Sequence, residues 1–347
     1  MRGEKAPVWG ERGNGVRSES ERGNGVRGRL VGDARPLTPF NASPLTEPSH
    51  SSRLTPHSVG HSLSRAADLL EAAGLPDARR EADELYAAIV GRATSAAWLE
   101  RGQPIGGPVQ TRLDEAVRRR AQGWPQAYAA GRVNFRGHWL TVDRRVLIPR
   151  PETEGLVDVV LEWMGGEGGR KGTVGVVADV GTGSGAIAVA LARESSARRI
   201  VATDRSMDAL AVARVNVAEH GATSRVALHC GHLLAQLGPG RVDAVISNPP
   251  YVATGEWERL EPAVRLFEPR QALDGGPDGL GPYRELVIEA RSVLRPGGLL
   301  ALEVDATRAG RVADLVVAAG FDSCTILDDL FGRPRYVRAR RPADGSD

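Results

Sequence analysis

From about residue 152 to residue 343, short apolar runs alternate with longer helical stretches, and that alternation leaves few folds open. Runs at 174–180, 198–203, 225–230, 242–247, 298–304, 323–328 and 334–339 read as strands, and stretches at 153–164, 184–194, 206–220, 282–294 and 308–319 read as helices. Strands separated by helices in this way predict an α/β fold, a Rossmann-like parallel sheet covered by helices on both faces. Ligands in such sheets bind at the carboxyl ends of the strands, so the residues just after each run are where chemistry is expected.

The 347 residues are long enough for about two domains at roughly 150 residues each. Upstream of the alternating region, three helical stripes predict a small bundle over 58–125. They are Leu63, Ala66, Leu70 and Ala73 with Gly74 as the stop; Ala82, Leu85, Tyr86, Ile89 and Val90; and Leu113, Val117 and Ala121. Residues 126–150 are expected to form a β-hairpin linker, with a β-like stretch from Val133 to Ile148 turning at Arg136-Gly137. Pro149-Arg150-Pro151 then predicts an extended entry to a domain spanning 151–347, because proline restricts itself and the residue before it. Residues 1–57 are rich in Gly, Arg, Ser and Pro and read as a disordered extension. The string Glu-Arg-Gly-Asn-Gly-Val-Arg occurs twice there, from Glu11 and from Glu21, as low-complexity drift or an upstream start codon would produce. Glu4, Glu11, Glu19 and Glu21 argue against a transit peptide.

A net charge of +2 and a pI near 8.7 are too balanced to indicate direct nucleic-acid binding. Cys230 and Cys324 form no metal spacing and no disulfide framework; both sit in apolar stretches and are expected as buried thiols, as suits a reducing cytoplasm. Neither an apolar run of about 18 residues nor the apolar core of a secretory signal is present, so a cytoplasmic protein without a membrane span, and a monomer, is expected.

The strand ending at Val180 runs into Gly181-Thr182-Gly183-Ser184-Gly185 and then a helix. Glycines allow a tight turn and a close backbone approach to a ligand, and the helix start supplies free N–H groups and partial positive charge. The spacing is shorter than the G-x-G-x-x-G of dinucleotide sites. It resembles that of methyltransferases, which hold the carboxylate end and ribose of S-adenosylmethionine there. Asp204, closing the next strand about 20 residues on, is placed to accept both ribose hydroxyl hydrogens. Its structural alternative is a cap for the helix that starts near Ser206.

The strand 242–247 ends in Asn248-Pro249-Pro250-Tyr251, which carries the most chemistry in the chain. A planar amide or exocyclic amine is a poor nucleophile because its lone pair is conjugated. Acceptors must hold its N–H groups and aim the nitrogen, and the Asn248 side-chain oxygen and Pro249 carbonyl are placed to do so. The prolines preorganise the loop, and Tyr251 can pack flat on the planar group. Methyl transfer would then be an in-line displacement driven by positioning, with no metal called for.

Together these motifs resemble the release-factor glutamine N5-methyltransferase family over residues 60–343. The most specific element is Pro149-Arg150-Pro151-Glu152-Thr153-Glu154 with Val146-Leu147-Ile148 before it. Gln126-Ala127-Tyr128, Gly131, Phe135 and Gly137 match upstream; Glu268-Pro269-Arg270, Ala272 to Gly276, Asp278-Gly279-Leu280, Gly332-Arg333, Arg335 and Arg340-Arg341 match downstream. The resemblance implies a helical N-terminal domain for release factor docking, joined by a hairpin to a seven-stranded S-adenosyl-L-methionine-dependent domain. It also implies a substrate, the glutamine of the Gly-Gly-Gln loop of class 1 peptide chain release factors. Gly181, Thr182, Gly183, Ser184, Gly185 and Asp204 would contact the cofactor, with Asn248 also bordering it, and Asn248, Pro249, Pro250 and Tyr251 would hold the glutamine amide. One departure lies after the third strand. Gly231-His232-Leu233 stands where the family carries an acidic residue followed by a bulky one against the adenine, so His232 and Leu233 take those places and an imidazole nitrogen would accept in place of the carboxylate. Glu303-Val304-Asp305 keeps the pattern after the fifth strand, without the Gln usual shortly beyond. The alternatives are a glutamine methyltransferase of a ribosomal protein, an N6-adenine methyltransferase of DNA or RNA, and a non-catalytic binding module. The Arg333 to Arg341 cluster reads as a solvated strand edge rather than a nucleic-acid surface.

Overall fold

The computed structural model describes residues 57–166 and 175–343, all within one compact unit, Leu54–Asp347. The low-complexity extension with its repeat lies outside the described residues, apart from His57.

The bundle comprises α1 (Val59–Ala72), α2 (Ala78–Val90), α3 (Ser95–Leu99), α4 (Gly107–Ala121) and α5 (Gln126–Ala130). Ser58 caps α1 by accepting from the His61 N–H at 3.2 Å. The expected stripes face inward through Leu63, Leu70, Leu85 and Leu113, while Ala73 and Ala121 fall at exposed helix ends. Arg120 forks onto both Glu81 carboxylate oxygens at 2.9 Å, tying α4 to α2.

The hairpin is shorter than its expected span: β1 (Arg132–Phe135) and β2 (His138–Thr141). Residues 126–130 form α5 instead, because Ala129 and Ala130 pack into the bundle core while Tyr128, on the same short helix, packs against Val142, Val146 and Val212. The turn is at Arg136-Gly137 as expected, with φ of 51° and 78°, the left-handed pair that matches strand twist in a two-residue hairpin. Arg136 then grips the next domain: its backbone N–H donates to Glu154 and its guanidinium bonds Glu194 and Asp158.

The chain continues through α6 (Pro151–Gly165), β3 (Val176–Val180), α7 (Ala186–Glu194), β4 (Arg199–Asp204), α8 (Met207–Glu219), β5 (Val226–Cys230) and β6 (Val242–Ser247). Then come α9 (Pro262–Phe267), α10 (Gly281–Val293), β7 (Leu294–Glu303), α11 (Ala309–Ala318), β8 (Asp322–Asp328) and β9 (Pro334–Arg340). The extended entry ends at Arg150, and Pro151 is already the first helical residue of α6, where its missing N–H costs nothing and Glu152 and Glu154 favour the helix start.

Seven strands lie in the order β5-β4-β3-β6-β7-β9-β8. The first five are parallel; β9 is antiparallel to both β7 and β8. The fully parallel expectation is corrected here, because the short 329–333 connection can only join antiparallel neighbours. The same order corrects Arg333–Arg341: β9 is an interior strand, Val337 and Ala339 are buried, and Arg335 and Arg341 bond backbone carbonyls. Alternate strand residues face opposite layers. Val177, Ala244, Ile246 and Ala301 meet α6 and α7, whereas Ala178, Val245, Leu300 and Leu302 meet α10 and α11. The cysteines are not buried as expected. Cys230 is exposed because β5 is an edge strand whose last residues leave the core, and Cys324 is half-buried.

Candidate active site

The sheet order reverses between β3 and β6, and a crevice at the carboxyl ends is expected at such a reversal. The two strands end level: Val180 pairs with Ser247, whose hydroxyl donates to the Val180 carbonyl at 2.7 Å. The glycine turn and Asn248 therefore leave the sheet side by side.

Gly181, Gly183 and Gly185 all have positive φ, at 72°, 54° and 82°. A side chain at any of them would be strained, which explains the spacing that sequence displays. A Cβ on Gly181 would meet no protein atom within 4 Å, so the turn borders open space. Thr182 and Ser184 are buried beneath it. The Gly181 and Thr182 N–H groups both donate to the Thr203 carbonyl at 2.9 Å, fastening the turn to the end of β4. Asp204 follows, and its carboxylate accepts from the Gly183 N–H and the Ser206 N–H, each at 2.9 Å. Ser206, not Asp204, caps α8. Both Asp204 oxygens keep a further lone pair. Burial raises the Asp204 pKa against the pull of those two N–H groups.

Beneath the turn, Asp179 is wholly buried and accepts from the Thr182 hydroxyl at 2.6 Å, while its other oxygen has no partner. Burial pushes its carboxyl up to about 7, with the Thr182 bond opposing and nearby Asp204 adding. An unfolded Asp titrates at about 3.9. A raised folded pKa means that the stability contributed by the neutral acid is fully present below about pH 4 and is lost as pH rises through about 7. Asp179→Asn, which stays neutral, should therefore gain stability relative to the parent between pH 5 and pH 8, by a few kcal/mol at about 1.4 kcal/mol per pKa unit, and its melting temperature should rise accordingly. Melting curves of both proteins at the two pH values check this; a constant difference would refute it.

The Asn248–Tyr251 loop is held from three sides. Val252 exchanges backbone bonds with Leu273 and Gly275, and the Thr254 N–H donates to Gly276. A Cβ on Gly275 would stand 2.7 Å from the Pro250 carbonyl oxygen, and one on Gly279 would collide with that of Tyr251. Glu268, fully buried, accepts from the Ile148 N–H at 3.1 Å and pairs with Arg150, joining this segment to the Pro-Arg-Pro entry. The third side is α6: the Asn248 Nδ2 donates to the Thr153 hydroxyl at 3.1 Å. Tyr251 is half-buried, and burial with nearby Glu303 raises its pKa.

His232 and Leu233 follow β5, on the far side of β4 from Asn248. The exposed His232 ring is 2.7 Å from Glu285, and Leu233 packs toward the α10 side of the sheet with φ 44°. Sequence reasoning missed Asn216 on α8. It is wholly buried, donates to the Thr141 and Ser184 carbonyls at 2.9 and 2.8 Å, and accepts from the Thr141 N–H at 2.7 Å, so it links the hairpin to the glycine turn. No local pattern marks an isolated Asn inside a helix.

Two family models match the chain: the PrmC N-terminal domain over residues 61–131 and the Methyltransferase small domain over residues 167–272. A release factor glutamine methyltransferase of Cereibacter sphaeroides is 41% identical over 281 residues, covering 81% of this chain and 98% of that protein. The chain belongs to the release factor glutamine methyltransferase family. A Moorella thermoacetica protein of the same name is 40% identical, covering 80% of this chain and 97% of that one. A third, from Geobacter sulfurreducens, is 38% identical over 77% and 91%. The expected seven-stranded methyltransferase sheet with a helical N-terminal region is thus both seen in the structure and matched by the family.

Proposed function

We propose that this family member transfers the methyl group of S-adenosyl-L-methionine to the side-chain amide nitrogen of the glutamine in the Gly-Gly-Gln loop of class 1 peptide chain release factors. The observation that carries the reading is the Asn248–Tyr251 loop standing directly beside the open glycine turn at the reversal of the sheet. The turn fits the cofactor. Open space lies over Gly181, N–H groups gather at the start of α7, and Asp204 has lone pairs to spare for ribose hydroxyls. Gly181 to Gly185 and Asp204 would hold it, with Leu233 and His232 toward the adenine. When bound, it supplies an electrophilic methyl on a sulfonium.

The chain's own groups do the positioning. Asn248 Oδ1 and the Pro249 carbonyl accept the two amide N–H groups, which holds the nitrogen on the line of attack and favours the charge that develops on it. Tyr251 covers the amide plane. The nitrogen gains the methyl and gives up one proton to solvent, so the product is a neutral N5-methylglutamine.

A helical bundle that runs through α5, the β1–β2 hairpin and a sheet domain entered at Pro151 suit this division of labour. The bundle would dock the release factor, and α3 carries Trp98 and Leu99 exposed on its surface. Among the described residues no helix is long and apolar enough to cross a membrane, and a cytoplasmic monomer acting on translation factors fits the reading.

The test is transfer of labelled methyl to a purified class 1 release factor, beside a copy whose Gly-Gly-Gln glutamine is alanine. Label on the first and none on the second is expected. Label on ribosomal protein or nucleic acid alone would overturn the substrate.

A further inference from the structure

We propose that the β8–β9 turn, through Leu330 and Phe331, is a second docking point for the protein substrate, seated against an apolar patch of the release factor beside its Gly-Gly-Gln loop. This rests on the substrate reading given above.

Large apolar side chains scattered singly over a surface are ordinary, whereas contiguous exposed apolar surface marks a contact site. Leu330 is 101% exposed and Phe331 78%, the two most exposed large apolar side chains among the described residues. They are neighbours on the five-residue connection between Asp328 and Pro334.

The turn that carries them is firmly built. Asp329 Oδ1 accepts from the Phe331 N–H at 2.9 Å and from the Arg333 N–H at 3.1 Å, and the Asp329 side chain is itself buried. The Asp329 N–H donates to the Arg333 carbonyl at 2.8 Å, and the Gly332 N–H donates to the Asp329 carbonyl at 3.0 Å. These bonds use the backbone and Asp329, not the side chains of Leu330 and Phe331. The guanidinium of Arg333 flanks the Phe331 ring at 6.0 Å. The fold therefore holds the pair outward without burying it, and a preordered pair loses little conformational freedom when a partner covers it.

Position names the partner. Ser247, just before Asn248, pairs with Leu302; Glu303 pairs with Tyr336; and the Val304 N–H donates to the Arg335 carbonyl at 2.8 Å. Residues 329–333 therefore project from the carboxyl end of the sheet, the end that carries Asn248. Strand β9 stands two strands from β6, roughly 10 Å at the usual strand spacing. The other half of that end belongs to the cofactor in the reading above: the glycine turn, Asp204 and His232-Leu233 follow β3, β4 and β5. A glutamine brought to Asn248 has to come with its protein over the remaining half, above β7, β9 and β8, where Leu330 and Phe331 stand. A small free substrate would leave the pair uncovered; a folded protein that presents one loop has surface to cover it.

The experiment sets a full-length Leu330→Ser, Phe331→Ser double variant beside Ile288→Ser. Ile288, midway along α10 on the flank of the sheet, is 67% exposed and controls for a general loss of surface apolarity. With intact release factor as the varied substrate, the double variant should raise its KM about tenfold or more, as loss of two covered apolar side chains implies. The kcat at saturation and the calorimetric Kd for S-adenosylmethionine should stay within about twofold, because a docking point contributes binding common to ground and transition states. The melting temperature should hold within about 2 °C, since neither side chain is buried. Ile288→Ser should leave KM within about twofold of the parent. An unchanged KM in the double variant would overturn the proposal, and so would an equal rise in Ile288→Ser or a loss confined to kcat. A parent that sediments as a dimer, with a monomeric double variant of unchanged KM, would assign the turn to a second copy of this chain and overturn it too. A parent that labels no release factor sinks this proposal and the substrate reading together; a parent that labels it with a KM indifferent to the turn sinks the docking point alone.

Discussion

Asn248→Ala should lower kcat by roughly a hundredfold or more, the usual effect of deleting one preorganised acceptor or donor from a reaction site. The side chain supplies one of two acceptors for a nitrogen that is almost non-nucleophilic unless its N–H groups are held. Its loss also leaves the Thr153 hydroxyl without its Nδ2 partner. Cofactor affinity should change little, because Asp204 and the glycine turn are fastened to β4 rather than to Asn248. Single-turnover rates with release factor, set beside calorimetric titration of S-adenosylmethionine, check both halves. A variant with turnover close to the parent would remove Asn248 from the mechanism.

The second large effect is expected at Gly279, a residue remote in sequence from the reacting loop. Its φ is +72°, and a Cβ there would collide with the Tyr251 carbonyl and meet Arg308 Nε at 2.7 Å. Left-handed strain costs roughly 1–2 kcal/mol and forced overpacking roughly 1–3 kcal/mol. At about 2–4 °C per kcal/mol for a chain of this size class, Gly279→Ala should melt several degrees lower. Turnover should suffer more than stability, because relief of the clash must push Tyr251, and a displacement of about 1 Å can cost roughly a hundredfold. Gly297→Ala is the control. It has a similar φ of +74°, open space around the new Cβ, and a place at the far end of β7 from the site. It should lower the melting temperature without lowering kcat below what the folded fraction allows. Equal kcat in the two variants would show that Gly279 does not brace the loop.

Much of the fold was legible along the chain, because strands buried on both faces read as continuous apolar runs and covering helices read as periodic stripes. The legible part stops where structure is short or depends on neighbours. Strand β7 begins at Leu294 rather than 298, since Leu294 finds Val242 across a bulge that no local pattern announces. The segment between the reacting loop and α10 folds as short pieces, Thr254–Arg259, α9 and Arg270–Ala272, each below the length at which a helical period shows. Placing β9 between β7 and β8 required knowledge of which strands pair, so Arg338 and Arg340 looked like an edge in sequence and lie within the sheet in fact. The thiol of Cys230 was misjudged for a related reason: an apolar run does not say which strand ends up outermost.

Sequence by itself determined the parts of the site whose chemistry is local. Three glycines at alternate positions are needed because the turn requires positive φ at each, and Asn-Pro-Pro-Tyr is rigid because its own prolines make it so. Tertiary structure alone decided what stands beside them. Thr153 meets Asn248 across 95 residues, Ile148 meets Glu268 across 120, and Asn216 spans from the hairpin to the glycine turn. Each of these is a buried or half-buried polar contact, and a polar group withdrawn from water takes whichever partner the packed sheet and helices bring within reach, not the one nearest along the chain.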